Sequence, residues 1–211
     1  MKIYDLSLPF SKDMLVFPGT PKMEYIRSHT VTKDKYNLGL ISINTHAGTH
    51  TDAPLHFIDN GTSLADVDVS IYVGKAVVVD CSSKKAFDTI DVEDAIAYED
   101  IIIKCKRVIF KTGWSKFYKE NKFFTDYPSI TVKLAKWLVD KGIVMIGVES
   151  PSLNPADYIE VHKILLESGA AVVEGLTNLD TLPSDEIFFV GTPLALKDGD
   201  GIPIRAIAIE F

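Results

Sequence analysis

The chain has 211 residues, with 29 acidic and 22 basic side chains and a net charge of -7. We predict one domain over residues 1–211, although length alone leaves two open. Its 46% hydrophobic and 24% charged composition is typical of a soluble globular protein. Because the charge is negative and no basic patch is concentrated, we expect neither nucleic acid nor a membrane as partner.

The N-terminus and the cysteines indicate the compartment. Asp5 and Pro9 come before any long apolar run, so we predict no signal peptide. No segment approaches the roughly 18 apolar residues that a membrane span needs. Cys81 and Cys105 form no Cys-x-x-Cys pair, and we interpret both as buried thiols. A reducing, cytoplasmic location is therefore expected.

Short runs of β-branched and aliphatic residues predict strands along the whole chain. They are Lys2 to Leu8, Lys22 to His29, Leu38 to Thr45, Lys75 to Cys81, Arg107 to Thr112, Ile143 to Val148, Ala170 to Glu174, Glu186 to Val190 and Ile202 to Phe211. The stretch from Lys197 to Gly201 predicts the turn of a terminal hairpin.

Helical patterns are fewer. They cover Ile90 to about Asp100, Val132 to Lys141, and Pro155 to Ser168. Gly142 is placed to cap the end of the second helix, and Asn154 to cap the start of the third. Since too few crossovers carry a helix for a regular doubly wound sheet, we predict an α/β or α+β fold. It would be a compact single domain with a central mixed β-sheet flanked by a few helices.

Potential metal ligands are concentrated in the segment His46-Ala-Gly-Thr-His50-Thr-Asp52-Ala-Pro-Leu-His56. Imidazoles and carboxylates bind divalent metals, and a segment shaped by Gly and Pro can direct several of them to one point. We place His46 and His50 on a loop after the strand Leu38 to Thr45. A purely structural cluster would leave the number of potential ligands unexplained.

Two further residues could complete a site. His162 shares the apolar face of its predicted helix with Leu165 and Leu166, and Glu174 ends an apolar strand. A charged group at the end of a buried strand needs a partner, which a metal would supply. Taken singly, His162 could be a hydrogen-bonded core histidine and Glu174 a solvated strand end.

The pattern His-x-Gly-Thr-His-x-Asp-x-Pro-x-His resembles the signature of the cyclase-like metal-dependent hydrolases, a family that includes the bacterial kynurenine formamidases. Every fixed position of it is present between His46 and His56. Further matching segments run along the chain, namely Asp5-Leu-Ser, Phe17-Pro-Gly, Lys111-Thr-Gly-Trp114, Gly147-Val-Glu-Ser-Pro151, His162, Leu165-Leu-Glu-Ser-Gly-Ala170 and Val173-Glu-Gly-Leu176.

The resemblance implies a compact α/β domain, a homo-oligomer and two divalent metal ions per subunit. Zinc is the first expectation and manganese the alternative. His46, His50 and Asp52 match the ligands of one ion, and Asp52 also bridges to the second. His162 matches a ligand of the second ion, and Glu174 matches a carboxylate shared by both.

The resemblance also implies hydrolysis of a small amide. The leading substrate is N-formylkynurenine, cleaved to kynurenine and formate in tryptophan catabolism, with metal-bound hydroxide as nucleophile. His56 matches the catalytic proton donor and acceptor. Phe17 matches a substrate-binding position where the formamidases usually have tryptophan, and Glu149 stands where aspartate is usual. Trp114 we assign to structure.

Two alternatives stay open at this point. One is a relative that hydrolyses another cyclic amide, imide, lactone or ester, because the same metal chemistry can act on any of these carbonyls. The other is a structural metal-binding protein without activity. His56 separates the two classes, since a purely structural site has no use for an adjacent acid or base.

Overall fold

A nine-stranded mixed sheet forms the centre of the molecule in the computed structural model, which describes residues 1–211. In chain order the strands are β1 (Lys2–Asp5), β2 (Glu24–His29), β3 (Leu38–Ser42), β4 (His50–Asp52), β5 (Val73–Asp80), β6 (Thr89–Ile90), β7 (Arg107–Lys111), β8 (Ser129–Ile130), β9 (Met145–Val148), β10 (Ala171–Glu174), β11 (Glu186–Val190), β12 (Gly201–Pro203) and β13 (Ile207–Glu210). The order in the main sheet is β1-β13-β11-β5-β7-β9-β10-β4-β12. Neighbours from β5 to β10 are parallel and the other pairs antiparallel, which confirms the predicted central mixed sheet.

Five α-helices and several 3₁₀ turns accompany the sheet. They are α1 (Val31–Asp34), α2 (Val92–Ala95), α3 (Glu99–Cys105), α4 (Val132–Asp140) and α5 (Tyr158–Glu167). Both faces of the central strands are buried. In β5, for example, Val77 belongs to the core that contains Leu134 of α4 and Leu165 of α5, whereas Val78 belongs to a second core on the opposite face. This double burial explains why the parallel strands are continuous apolar runs.

The three predicted helices are present, two of them with shifted starts. The second has its predicted position in α4, whereas the third begins at Tyr158 rather than Pro155. The Asn154 side chain accepts hydrogen bonds from the backbone N–H groups of Ala156 and Asp157, so it caps a turn that precedes the helix. The first helical segment begins after Asp91, which forms a capping box, and continues to the end of α3.

The predicted terminal hairpin is only partly correct, because β11 and β13 are antiparallel neighbours but β12 comes between them in the chain. The segment Ile202 to Phe211 contains two strands instead of one, with β12 at one edge of the sheet and β13 next to the opposite edge. β12 pairs with β4, whereas β13 lies between β1 and β11. The turn Lys197 to Gly201 therefore carries the chain first to β4, and only β13 returns alongside β11. Local alternation gives no signal for this pairing, because β4 and β12 are separated by about 150 residues of sequence.

One hairpin stands apart from the main sheet. β2 and β3 pair only with each other, and all five residues of β3 are exposed. The hairpin presents the apolar side chains of Ile26, Leu38 and Leu40 to solvent. Elsewhere, Cys81 and Cys105 are buried free thiols, as predicted. None of the helices combines the length and the apolar character that crossing a membrane requires.

Candidate metal centre

Strand β4 carries two of the predicted ligands and pairs with the strand that carries a third. Successive side chains of a strand point to opposite faces, so His50 and Asp52 share one face of the sheet. In the antiparallel pairing with β10, His50 lies directly opposite Glu174. The prediction of a loop for His50 is wrong, because residues 50–52 are a buried strand held between β10 and β12. His46 does lie on a turn before this strand.

Helix α5 brings His162 to the same point. Its Nε2 lies 3.0 Å from Glu174 Oε1 and 3.6 Å from Asp52 Oδ2. His50 Nε2 lies 3.2 Å from the other oxygen of Glu174. All four side chains are at most 4% exposed. The structure thus brings together two carboxylates and two histidines. In the sequence these four residues span 124 positions, from His50 to Glu174.

His46 and His56 form the outer part of the cluster. His46 Nδ1 lies 2.8 Å from Asp52 Oδ1, and the rings of His46 and His56 stack with their centroids 3.8 Å apart. The His46 ring packs against Gly201, where an added Cβ would lie only 2.5 Å from the imidazole. This glycine is therefore needed for the close approach of His46. His56 remains 28% exposed, on a 3₁₀ turn that begins at Pro54.

Each buried imidazole is oriented by a backbone carbonyl. His50 Nδ1 lies 3.0 Å from the carbonyl oxygen of Gly48, and His162 Nδ1 lies 2.6 Å from that of Tyr158. Donation of the Nδ1 proton to these oxygens leaves Nε2 of both rings facing the carboxylates. Histidines that bind metals are commonly held in this way, with the second ring nitrogen donating to a carbonyl or carboxylate.

The donor set fits a divalent cation. Ligand atoms within 4.8 Å of one another form two groups, His46 with Asp52 and His56, and His50 with Asp52 and Glu174. Asp52 belongs to both, and its Oδ2 is buried without a hydrogen-bond partner. A buried, unpartnered carboxylate oxygen surrounded by imidazoles is well suited to a cation. The first group contains His56, to which the resemblance gives a proton-transfer role instead of a ligand role.

The charges in the cluster favour ionised carboxylates. Burial opposes ionisation of Asp52 and Glu174, but hydrogen bonds from the neighbouring imidazoles outweigh it, so the pKa of each carboxyl is lowered. Burial also disfavours the charged form of His46, yet its hydrogen bonds to Asp200 and Asp52 raise its pKa to about 10. The positive charge that balances Asp52 and Asp200 is thus carried by the His46 imidazole, and a cation bound to Asp52 would carry it instead.

A cleft of about 220 Å³ opens onto this cluster. All the potential ligands except Asp52 line it, together with His56 and with Phe17, Thr20, Asn44, Pro151, Ser152 and Tyr158. Phe17 is 42% exposed and contacts Phe124 edge to face, with 5.9 Å between ring centroids. The structure thus brings the predicted substrate-binding Phe17 to the cleft and adds residues that the sequence did not single out.

Glu149 and Trp114 lie outside the cleft and stabilise the loop after β7. The buried Glu149 carboxylate accepts hydrogen bonds from Thr112 N at 2.7 Å, from Ser115 Oγ at 2.8 Å and from Gly113 N. Trp114 is buried and donates from Nε1 to the carbonyl oxygen of Phe123. The structural assignment of Trp114 is confirmed, and Glu149 likewise holds a loop instead of lining the site.

Asp200 is a site residue that the sequence analysis missed. Its Oδ2 lies 2.8 Å from His46 Nε2 and 3.4 Å from His56 Nδ1. The only sequence signal is an acidic residue between Gly199 and Gly201, in a stretch that we interpreted as a hairpin turn. No periodicity connects such a residue to a histidine 154 positions earlier.

Comparison with known proteins assigns the family. The Cyclase family model matches residues 4–155, which is most of the chain. The chain belongs to the Cyclase family. A relative named kynurenine formamidase, from Bacillus cereus, is 32% identical over 206 residues, covering 96% of this chain and 95% of the relative. The resemblance noted in the sequence is thereby confirmed.

Solved structures agree with this Cyclase family fold. Isatin hydrolase A from Labrenzia aggregata superposes with a TM-score of 0.86 at 24% identity, over 98% of this chain and 93% of that one. A Bacillus stearothermophilus protein described as a predicted metal-dependent hydrolase gives 0.80 at 26% identity, over 98% and 97%. The predicted fold class is thus confirmed along nearly the whole length.

Proposed function

We propose that this Cyclase family protein is a metal-dependent hydrolase of a small amide, with N-formylkynurenine as the leading substrate and kynurenine and formate as products. The observation that carries the proposal is the convergence of four histidines with two buried carboxylates at one cleft. The kynurenine formamidase named above, which resembles this chain along nearly its whole length, supports the choice of substrate.

The proposed metal content is two divalent ions, zinc first and manganese as the alternative. His46, His50 and Asp52 would hold one ion and His162 the other, with Asp52 and Glu174 shared. Bound there, a divalent ion lowers the pKa of water and polarises the substrate carbonyl. The donor set of imidazoles and carboxylates is suited to both metals.

His56 is the group that we assign to proton transfer. It lines the cleft and is more exposed than the buried imidazoles, so a substrate can reach it. In the hydrolysis a water oxygen bonds to the carbonyl carbon, the C–N bond breaks, and His56 carries the proton of the water to the departing nitrogen. No covalent intermediate with the protein is needed.

A substrate panel on protein of measured metal content tests the proposal. Zinc-loaded, manganese-loaded and chelator-treated protein would be assayed with N-formylkynurenine, with cyclic imides and lactones, and with simple esters. We expect the formamide to be cleaved with the highest kcat/KM, only by metal-loaded protein. Metal should also raise the Tm, because a cation bound only to the folded state stabilises it.

Two results would replace the proposed function with one of the alternatives. Preferred cleavage of a cyclic imide or lactone would favour the other hydrolase alternative. A Tm that falls with chelator, without hydrolysis of any substrate, would indicate a structural metal site.

Phe17 provides a test of substrate contact. Its ring lies at the cleft, supported by Phe124, where it could stack on an aromatic substrate. We expect Phe17→Ala to raise KM for N-formylkynurenine about tenfold with little change in kcat, since an aromatic pair contributes about 0.5–1.5 kcal/mol. Phe17→Trp should have a KM equal to or below that of the wild type. Initial rates against substrate concentration measure both, and an unchanged KM in Phe17→Ala would contradict the assignment.

We also propose a homo-oligomer that forms through the β2–β3 hairpin. An isolated two-stranded hairpin is only marginally stable in water, so its exposed apolar side chains need a covering surface. Ile26 lies directly opposite Leu40, which places both on one face of the hairpin. The same face of a second copy would cover this patch in a two-fold symmetric contact.

Charge placed in this patch should separate the subunits. We expect light scattering after size exclusion to give a dimer or larger assembly for the wild type and a monomer for Leu40→Glu. Arg27→Gln is the matched control, because Arg27 follows Ile26 and so points to the opposite face. A wild-type monomer would contradict the proposal, as would a Leu40→Glu variant with unchanged mass.

A further inference from the structure

We propose that Asp200 is a positioning residue that orients both His46 and His56, an inference that rests on the proposed hydrolase function. A single carboxylate oxygen serves both rings. Asp200 Oδ2 lies 2.8 Å from Nε2 of His46 and 3.4 Å from Nδ1 of His56. The two rings are stacked, so their nitrogens reach this oxygen from neighbouring planes.

The backbone fixes Asp200 relative to both histidines. Its carbonyl oxygen accepts a hydrogen bond from Ala53 N at 2.8 Å, immediately before the turn that carries His56. The next residue, Gly201, opens β12 opposite Asp52 and supports the His46 ring. The backbone of Asp200 is therefore held at the beginning of a paired strand, and a group that orients other side chains requires such rigid support.

The contacts assign a hydrogen-bonding pattern to each ring. When His46 donates its Nε2–H to Asp200, its Nδ1 keeps a lone pair. That nitrogen lies beside Asp52, within the donor group of His46, Asp52 and His56. An N–H donated from His56 Nδ1 to the same oxygen leaves His56 Nε2 for a substrate. Asp200 itself belongs to neither donor group, so it acts through the imidazoles.

This arrangement links the two functions of the site. The carboxylate that supports a potential metal ligand also selects the tautomer of the proposed proton carrier. Loss of the negative charge should affect both, because an amide at this position can present its NH₂ group to either ring and favour the wrong tautomer. Two properties of the protein, metal affinity and turnover, should therefore change together.

The test compares Asp200→Asn with Asp198→Asn, a change of the same chemistry at an exposed residue two positions earlier. Zinc affinity would be measured by competition with a chromogenic chelator, and ring tautomers by ¹⁵N NMR of the imidazoles. For Asp200→Asn we expect zinc affinity to fall about 10–100-fold, as for other residues that support ligands. We expect kcat to fall at least about tenfold with KM nearly unchanged, and Asp200→Glu to recover part of the loss.

Equal zinc affinity and kcat in the two asparagine variants, with identical imidazole spectra, would overturn the proposal. Loss of a whole zinc equivalent would also overturn it, because Asp200 would then be a ligand. If the wild type hydrolyses no substrate, the proposed function fails. Zinc affinity and imidazole spectra would still decide the role of Asp200 toward the two rings.

Discussion

His56→Ala is expected to lower kcat for amide hydrolysis at least about 100-fold while leaving the metal content unchanged. His56 lines the cleft and stacks on His46, but its Nδ1 faces Asp200 and not the buried carboxylates. Removal of the imidazole takes away the group that moves a proton to the leaving nitrogen. The folded core should be little affected, since His56 is partly exposed.

The measurement combines metal analysis with steady-state kinetics on N-formylkynurenine. Asp59→Asn is the control, because Asp59 is exposed and lies only three residues further along the same segment. Full activity in His56→Ala would refute the proton-transfer role. Loss of one metal equivalent would instead make His56 a ligand, in line with its presence in the first donor group.

Asp52→Asn should have the largest effect on metal binding. Asp52 is shared by both donor groups, is fully buried, and has an oxygen without a hydrogen-bond partner. A neutral amide there removes the negative charge closest to both proposed ions. We expect metal content to fall toward zero and kcat/KM to drop at least about a thousandfold, since a catalytic metal contributes several kcal/mol.

Thermal unfolding separates this loss from misfolding. The Tm of Asp52→Asn should no longer rise with added zinc, whereas the wild type should respond. Glu149→Gln is the matched control, because Glu149 is an equally buried carboxylate that binds only a loop. That variant should lose stability and keep its metal. An Asp52→Asn protein with normal metal content would contradict the proposed site.

The residues of the centre could be identified from sequence because their chemistry is local. His46, His50, Asp52 and His56 occur within eleven positions, in a segment interrupted by Gly48 and Pro54. Glu174 was recognisable because an acid ended an apolar strand. The central parallel strands were equally clear, since double burial makes them continuous apolar runs.

What the sequence could not show depends on pairings between distant segments. Whether His50 lies on a loop or a strand is decided by β10 and β12, which enclose it from either side. The division of the last ten residues into two strands has the same cause. The alternation of apolar and polar residues along a strand predicts which face of the sheet a side chain occupies. It does not predict which strand lies beside it.

The sequence by itself therefore determined the donor types, the family resemblance and most strand and helix positions, because these follow from composition and short-range periodicity. Only the tertiary structure decided how the donors meet, and it added Asp200 to them. Its contact with His46 and His56 depends on β12 pairing with β4 at the edge of the sheet. That pairing results from packing of the whole chain, and no local sequence pattern predicts it.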